Sequence, residues 1–246
     1  MSVLYRVLPA LLVVACATLG CRRTDAESTA PRAADSGTLV AHDTFDAESA
    51  AAFADTWVVE QQPGGTVAIE DGRMIIADAG GCTVWWREKL TAPVVISFKA
   101  TVSSQSRVSD LNCFWMASDP SRPGDLLAPG HRRDGRFATY DTLKTYYVGY
   151  GGNTNSTTRF RRYDGSGARP LLPEHDRTAE RFLLIPDHTY SITLIADEKG
   201  ARYLRDGEVI FYYADPDPLT EGWFGFRTVH SRIEISEFSV HRPTNP

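Results

Sequence analysis

From residue 38 onward, apolar and polar residues alternate in short runs separated by turn residues. Val94, Ile96, Phe98 and Ala100 recur at every second position with more polar neighbours between them. That two-residue period is the mark of a strand with one buried face. Similar texture predicts strands at 39–45, 57–61, 66–70, 74–77, 82–87, 94–102, 111–117, 142–150, 157–163, 189–196, 201–204, 209–213, 223–227 and 233–241. Asp71-Gly72, Gly80-Gly81, Lys199-Gly200 and Asp206-Gly207 stand between runs as turn signals. Asp206-Gly207 predicts a tight hairpin. Helical patterning is thin, confined to 48–54 and 134–140. So many short strands predict an all-β domain of two packed antiparallel sheets.

The N-terminus reads differently. Arg6 precedes an apolar run at 7–18, which is too short to span a bilayer and predicts a secretion signal. The run ends at Thr18-Leu19-Gly20-Cys21, similar to the bacterial lipobox, where cleavage precedes a cysteine that takes up lipid. Val13-Val14-Ala15-Cys16 fits the same pattern with a shorter apolar segment. Cys21 is the expected lipidation site, with residues 1–20 as signal peptide and 21–37 as a flexible tether rich in Ala, Ser, Thr, Asp and Arg. Residues 38–246 form the folded domain. Arg22, where Asp would mark retention in the inner membrane, favours the outer membrane by analogy with Gram-negative lipoproteins. The expected location is the cell envelope, outer membrane or periplasm, with the membrane touched only through lipid.

Charge narrows the partners. A formal net charge of −5 argues against a general nucleic-acid binder. Cys82 and Cys113 remain in the domain. Export would allow them to pair, while their place inside apolar runs suits two buried thiols. No second Cys or His stands at ligand spacing, so no metal site is expected. A nucleophile elbow, phosphate loop, H-E-x-x-H and dinucleotide fingerprint are all missing, and no cofactor is expected.

Asp43-Thr44-Phe45, Trp57, the strand before Asp71-Gly72-Arg73 and the closing 234–240 segment resemble concanavalin A-like lectin/glucanase jelly rolls. More specifically, 109–117 and 147–153, followed by Thr158-Arg159-Phe160-Arg161-Arg162-Tyr163, resemble the bacterial family DUF6250. The resemblance covers almost all of the domain. It implies a two-sheet antiparallel jelly-roll sandwich found among polysaccharide-utilisation proteins, and it supplies no catalytic residues.

Candidate chemistry concentrates between 146 and 163. On a strand, Thr157, Arg159, Arg161 and Tyr163 share one face and Phe160 the other. The two guanidiniums then spring from points about 7 Å apart. Tyr147 and Tyr150 lie on the preceding strand, with Asn153 and Asn155 in the turn between. Arginine forks bind carboxylates, so this cluster suits an acidic sugar. A loop at 131–136 adds His131 and further arginines. Trp85 and Trp115 are candidate sugar platforms, and Asn112 a further polar contact. His175 beside Asp176 is a candidate general base. A Glu-x-Asp-x-Glu strand of retaining glucanases is absent; Glu234 and Glu237 fall on opposite faces. The expected catalytic set for β-elimination on a uronate glycan is therefore Arg159, Arg161, Tyr147, Tyr150 and His175. Trp85, Asn112, Trp115, Asn153, Asn155, Tyr163 and His131 are the expected substrate contacts. The alternative is a non-catalytic carbohydrate-binding lipoprotein using the same arginines and tryptophans. In both, the partner is an acidic polysaccharide or oligosaccharide. A third possibility, an envelope scaffold for a protein partner, predicts no sugar affinity.

Overall fold

The computed structural model describes residues 37–244. The expected signal peptide, the expected lipidation site Cys21 and nearly all of the expected tether lie outside the described residues. Sixteen strands follow in chain order. The first eight are β1 (Thr38–Asp43), β2 (Trp57–Gln61), β3 (Thr66–Glu70), β4 (Arg73–Ala77), β5 (Cys82–Trp86), β6 (Leu90–Thr91), β7 (Val94–Val102) and β8 (Leu111–Ser118). The rest are β9 (Lys144–Gly151), β10 (Thr157–Asp164), β11 (Asp176–Arg177), β12 (Thr189–Asp197), β13 (Gly200–Arg205), β14 (Glu208–Ala214), β15 (Glu221–Thr228) and β16 (Arg232–Arg242).

They form two antiparallel sheets. The first runs β14-β13-β12-β7-β16-β4-β3, with β1 on β16; the second runs β11-β10-β9-β8-β15-β5-β2, with β6 on β15. The two-sheet sandwich expected from the alternation is therefore present. Asp206 and Gly207, both at positive φ (52° and 80°), close the β13–β14 hairpin, as a type I′ turn requires. At 47–56 the weak helical pattern becomes two short helices, the first capped by the Asp46 carboxylate accepting from Glu48 and Ser49 amides.

Between the sheets lies one continuous apolar core. Trp57 sits centrally in it, its ring against Trp86 (5.0 Å) and Phe238 (5.2 Å) and its indole N–H donating to Asp43 at 2.8 Å. Truncating such an aromatic costs about 3–5 kcal/mol. A second apolar layer covers part of the outer face of the second sheet. There Trp85, Phe114, Tyr147 and Tyr163 pack beneath Leu126, Leu127, Tyr140 and Leu143 of the 119–143 loop. The loop is anchored by buried Glu60, which accepts from Trp85 Nε1, Tyr140 Oη and the Arg133 amide at 2.7–2.8 Å. This double covering explains why β8 reads as an unbroken apolar run: it is buried on both faces.

Cys82 and Cys113 are free and buried. They lie on β5 and β8, which β15 separates, opposite Thr228 and Phe226 respectively. Of the two possibilities left open by the sequence, the structure has two buried thiols.

Candidate functional site

Strand register builds the site. Thr83, Arg227, Asn112, Gly149, Arg159 and Asp176 are successive cross-strand partners from β5 to β11, forming one row on the outer face of the second sheet. Two residues along each strand, Trp85, Gly225, Phe114, Tyr147 and Arg161 make the next row. Strands are spaced about 4.8 Å apart, so Arg227 and Arg159 spring from points about 14 Å apart with only Asn112 and side-chain-less Gly149 between them. A Cβ at Gly149 would lie 3.2 Å from the Tyr147 ring and hydroxyl. The missing side chain therefore leaves a hollow in which the tyrosine hydroxyl reaches the first row.

The hollow is a cavity of about 380 Å³, floored by Asn112, Gly149 and Tyr147 and walled by Arg159, Arg161, Phe137 and Arg227. That lies toward the small end of ligand sites, which span roughly 300–1,000 Å³. Its upper rim is the turn at 151–155. Gly151, Asn153, Thr154 and Asn155 all have φ between 51° and 68°, a left-handed stretch that costs a β-branched residue such as Thr154 about 1–2 kcal/mol. Asn155 holds it: its amide donates to the Leu184 carbonyl (2.9 Å) and accepts from the Leu184 N–H (2.8 Å). Strain maintained in this way belongs with sites where one conformation is needed.

Five arginines line the cavity. Arg107 pairs with Asp110 (2.8 Å), Arg159 with both oxygens of Asp176 (2.9 and 3.0 Å) and Arg169 with both oxygens of Asp141 (2.7 and 2.8 Å). Among the described residues, Arg161 and Arg227 have no carboxylate within salt-bridge distance. Arg161 donates to the carbonyls of Arg169 and Pro170. Arg227, 1% exposed, donates to Thr83 and the Gly135 carbonyl and lies over the rings of Phe137 (5.0 Å) and Tyr140 (4.9 Å). Removing a charge from water without an ion partner costs on the order of several kcal/mol, only partly offset by neutral hydrogen bonds and ring contacts. Three buried polar atoms of the lining residues also lack partners, Arg107 Nε, Asn112 Oδ1 and Arg227 Nε. Burial pushes the Tyr147 hydroxyl well above its ordinary value of 10, so it stays protonated at neutral pH.

Of the residues expected in the site, Arg159, Arg161, Tyr147, Asn112 and Asn153 converge on the cavity. The others do not line it. Tyr150 points into the inter-sheet core, donating to Leu183 O and accepting from Arg205. His175 is buried behind the sheet against Phe160 (4.9 Å), Phe211 and Tyr213, and burial lowers its pKa. Trp115 is core, and Trp85 is sealed beneath Phe114 and Tyr140 by the long loop. Neither tryptophan presents a platform. Tyr163 is buried under the same layer, Asn155 is a clamp for the turn, and His131 bonds Asp125 O within the loop. Sequence reasoning missed Arg227. It shares a face of β15 with Trp223 and Gly225, and only its cross-strand partners Thr83 and Asn112 reveal that this face lines a cavity.

Sandwich and pocket together define the class: a galectin-like jelly roll with a cationic cavity on one sheet's outer face. The chain belongs to the family described as a domain of unknown function, DUF6250, which matches residues 76–238. Among solved structures, a Bacillus subtilis protein of unknown function with a galectin-like fold has a TM-score of 0.68 at 17% identity, over 85% of this chain and 98% of that one. The carbohydrate-binding module CBM66 from Bacillus subtilis has a TM-score of 0.54 at 11% identity, over 76% and 95%. A structure from work on endo-acting O-glycanases of the human gut microbiota has a TM-score of 0.58 at 10% identity, over 83% and 99%. Such identities define the fold alone. No curated protein matches the sequence significantly.

Proposed function

We propose that the domain recognises an anionic saccharide in the Asn112–Tyr147–Arg161–Arg227 cavity, outside the cytoplasm, on a chain anchored by lipid at Cys21. One observation carries the reading: two arginines line a small cavity without a carboxylate partner, in a protein whose net charge is −5. A sugar carboxylate or sulfate supplies the missing charge, and sugar hydroxyls supply the donor that Asn112 Oδ1 lacks. The glycan-related names among the structural neighbours agree with this choice of ligand.

The test is titration calorimetry of the purified domain against polygalacturonate, alginate, hyaluronan and sialylated oligosaccharides, with neutral glucans as controls. Selective, salt-sensitive binding of an acidic chain is expected. Uniform indifference to all of them would sink the proposal. Loss of membrane association and of palmitate labelling in a Cys21→Ser chain tests the anchor.

A second reading, β-elimination, is favoured by the Tyr147 hydroxyl, which lines the cavity and has no protein partner among the described residues. A protonated tyrosine suits delivery of a proton to the leaving oxygen. The accompanying base is harder to find, because His175 and Tyr150 lie elsewhere and Asp110 is paired with Arg107. Recognition without turnover is therefore the leading reading. Unsaturated product absorbing in the ultraviolet, lost in Tyr147→Phe, would reverse the order.

A further inference from the structure

The cavity is closed at one end. Below Tyr147, the 119–143 loop and the 165–175 loop meet over the sheet. Arg169 joins them, its guanidinium 4.6 Å from the Phe137 ring while doubly bonded to Asp141. Phe137 in turn packs on Tyr147 (5.5 Å), and Arg161 ties the second loop down through the Arg169 and Pro170 carbonyls. Beneath this clasp the sheet is sealed by Leu126, Leu127 and Leu143. On the β5 side the Gly135 carbonyl approaches Gly81 so closely that a Cβ there would lie 2.5 Å from it. The opposite flank carries the Arg159–Asp176 pair.

We infer that the cavity accepts the end of an anionic glycan chain and not an internal stretch. An internal sugar has neighbours on both sides and needs two exits. Here a polymer leaving past Tyr147 meets the Arg169 clasp, so only a terminal residue reaches Asn112 and Arg161 together. The inference rests on the acidic-saccharide reading and names the part of the polymer that is bound.

Polygalacturonate, alginate and hyaluronan are each titrated as intact polymer and as partial hydrolysate, at equal total uronate. End recognition predicts that bound protein scales with the number of chain ends, so hydrolysate binds more in proportion to its extra termini. Equal binding at equal uronate overturns the inference while leaving acidic-glycan recognition standing. Failure of all three in both forms, and of the sialylated oligosaccharides with them, overturns the recognition reading itself, and this inference with it. Opening the clasp with Arg169→Ala is expected to bring the hydrolysate-to-polymer ratio toward one. An unchanged ratio in a folded variant would overturn the clasp as the barrier.

Discussion

Asn112 and Arg227 face each other across the β8–β15 pair, and each keeps one buried polar atom without a partner. Side by side on the cavity wall, an acceptor and a cation remain unsatisfied by the protein. Such a pair is costly for the empty fold and favourable for a ligand that supplies a donor and a negative charge.

The first prediction follows from that cost. Arg227→Met keeps much of the side-chain volume and the contact with Phe137 and Tyr140 while removing the charge. Replacing buried ionic groups by well-packed apolar ones is often neutral or stabilising, so the thermal midpoint should hold or rise. A charge-assisted hydrogen bond is worth about 1.5–3 kcal/mol, so affinity for the acidic glycan should fall roughly tenfold to a hundredfold. Calorimetry on one preparation reads both. A variant that is less stable yet binds normally would mean that Arg227 serves the fold alone.

The second concerns the left-handed turn on the rim. Asn155→Ala removes both hydrogen bonds to the Leu184 backbone, and should lower stability by about 2 kcal/mol, or roughly 4–8 °C in a domain of this size. Thr154→Asn should act oppositely, since asparagine tolerates the left-handed region better than a β-branched residue. Midpoints of the two variants moving in the same direction would contradict the role given to the turn.

Much of this site was legible in one strand and little of it elsewhere. Thr157, Arg159 and Arg161 were placed together because a period of two is a local property of an extended chain. Asn112 and Tyr147 joined them through register, which turn chemistry and pairing decide over long separations. Trp85 was misread for a related reason. Adjacent Trp85 and Trp86 take opposite faces of β5, with Trp86 in the inter-sheet core and Trp85 outward, but the outer face there is roofed by a loop whose path no local pattern reveals. His175 beside Asp176 suggested a base, whereas packing against Phe160 makes it a core residue. Arg227 went unnoticed because a single arginine at a strand end carries no signal until its neighbours across the sheet are known.

The third prediction uses the cysteines. Burial pushes both thiols far up, so neither forms the thiolate that alkylating reagents need. Iodoacetamide should leave the native domain unmodified and label both Cys82 and Cys113 after unfolding. Mass spectrometry should also find no linkage between them after mild oxidation, because β15 stands between their strands. Rapid labelling of the native protein would show that one strand opens readily.

The fourth is a pH dependence. Burial against Phe160, Phe211 and Tyr213 lowers the His175 pKa beneath its ordinary 6.5, so the unfolded chain takes up the proton before the folded one does. Where the unfolded state binds more protons, stability rises with pH. The contribution from His175 is thus fully present above about pH 6.5, and is lost as pH falls from there toward the lower value of the folded state. His175→Phe should flatten that part of the stability profile, measured as the denaturation midpoint between neutral and mildly acidic pH. Glycan affinity at neutral pH should be unaffected, because the imidazole sits behind the sheet from the cavity. If the substitution instead abolished binding or turnover and left the stability profile unchanged, His175 would return as a participant in the chemistry, and its contact with Phe160 would be incidental.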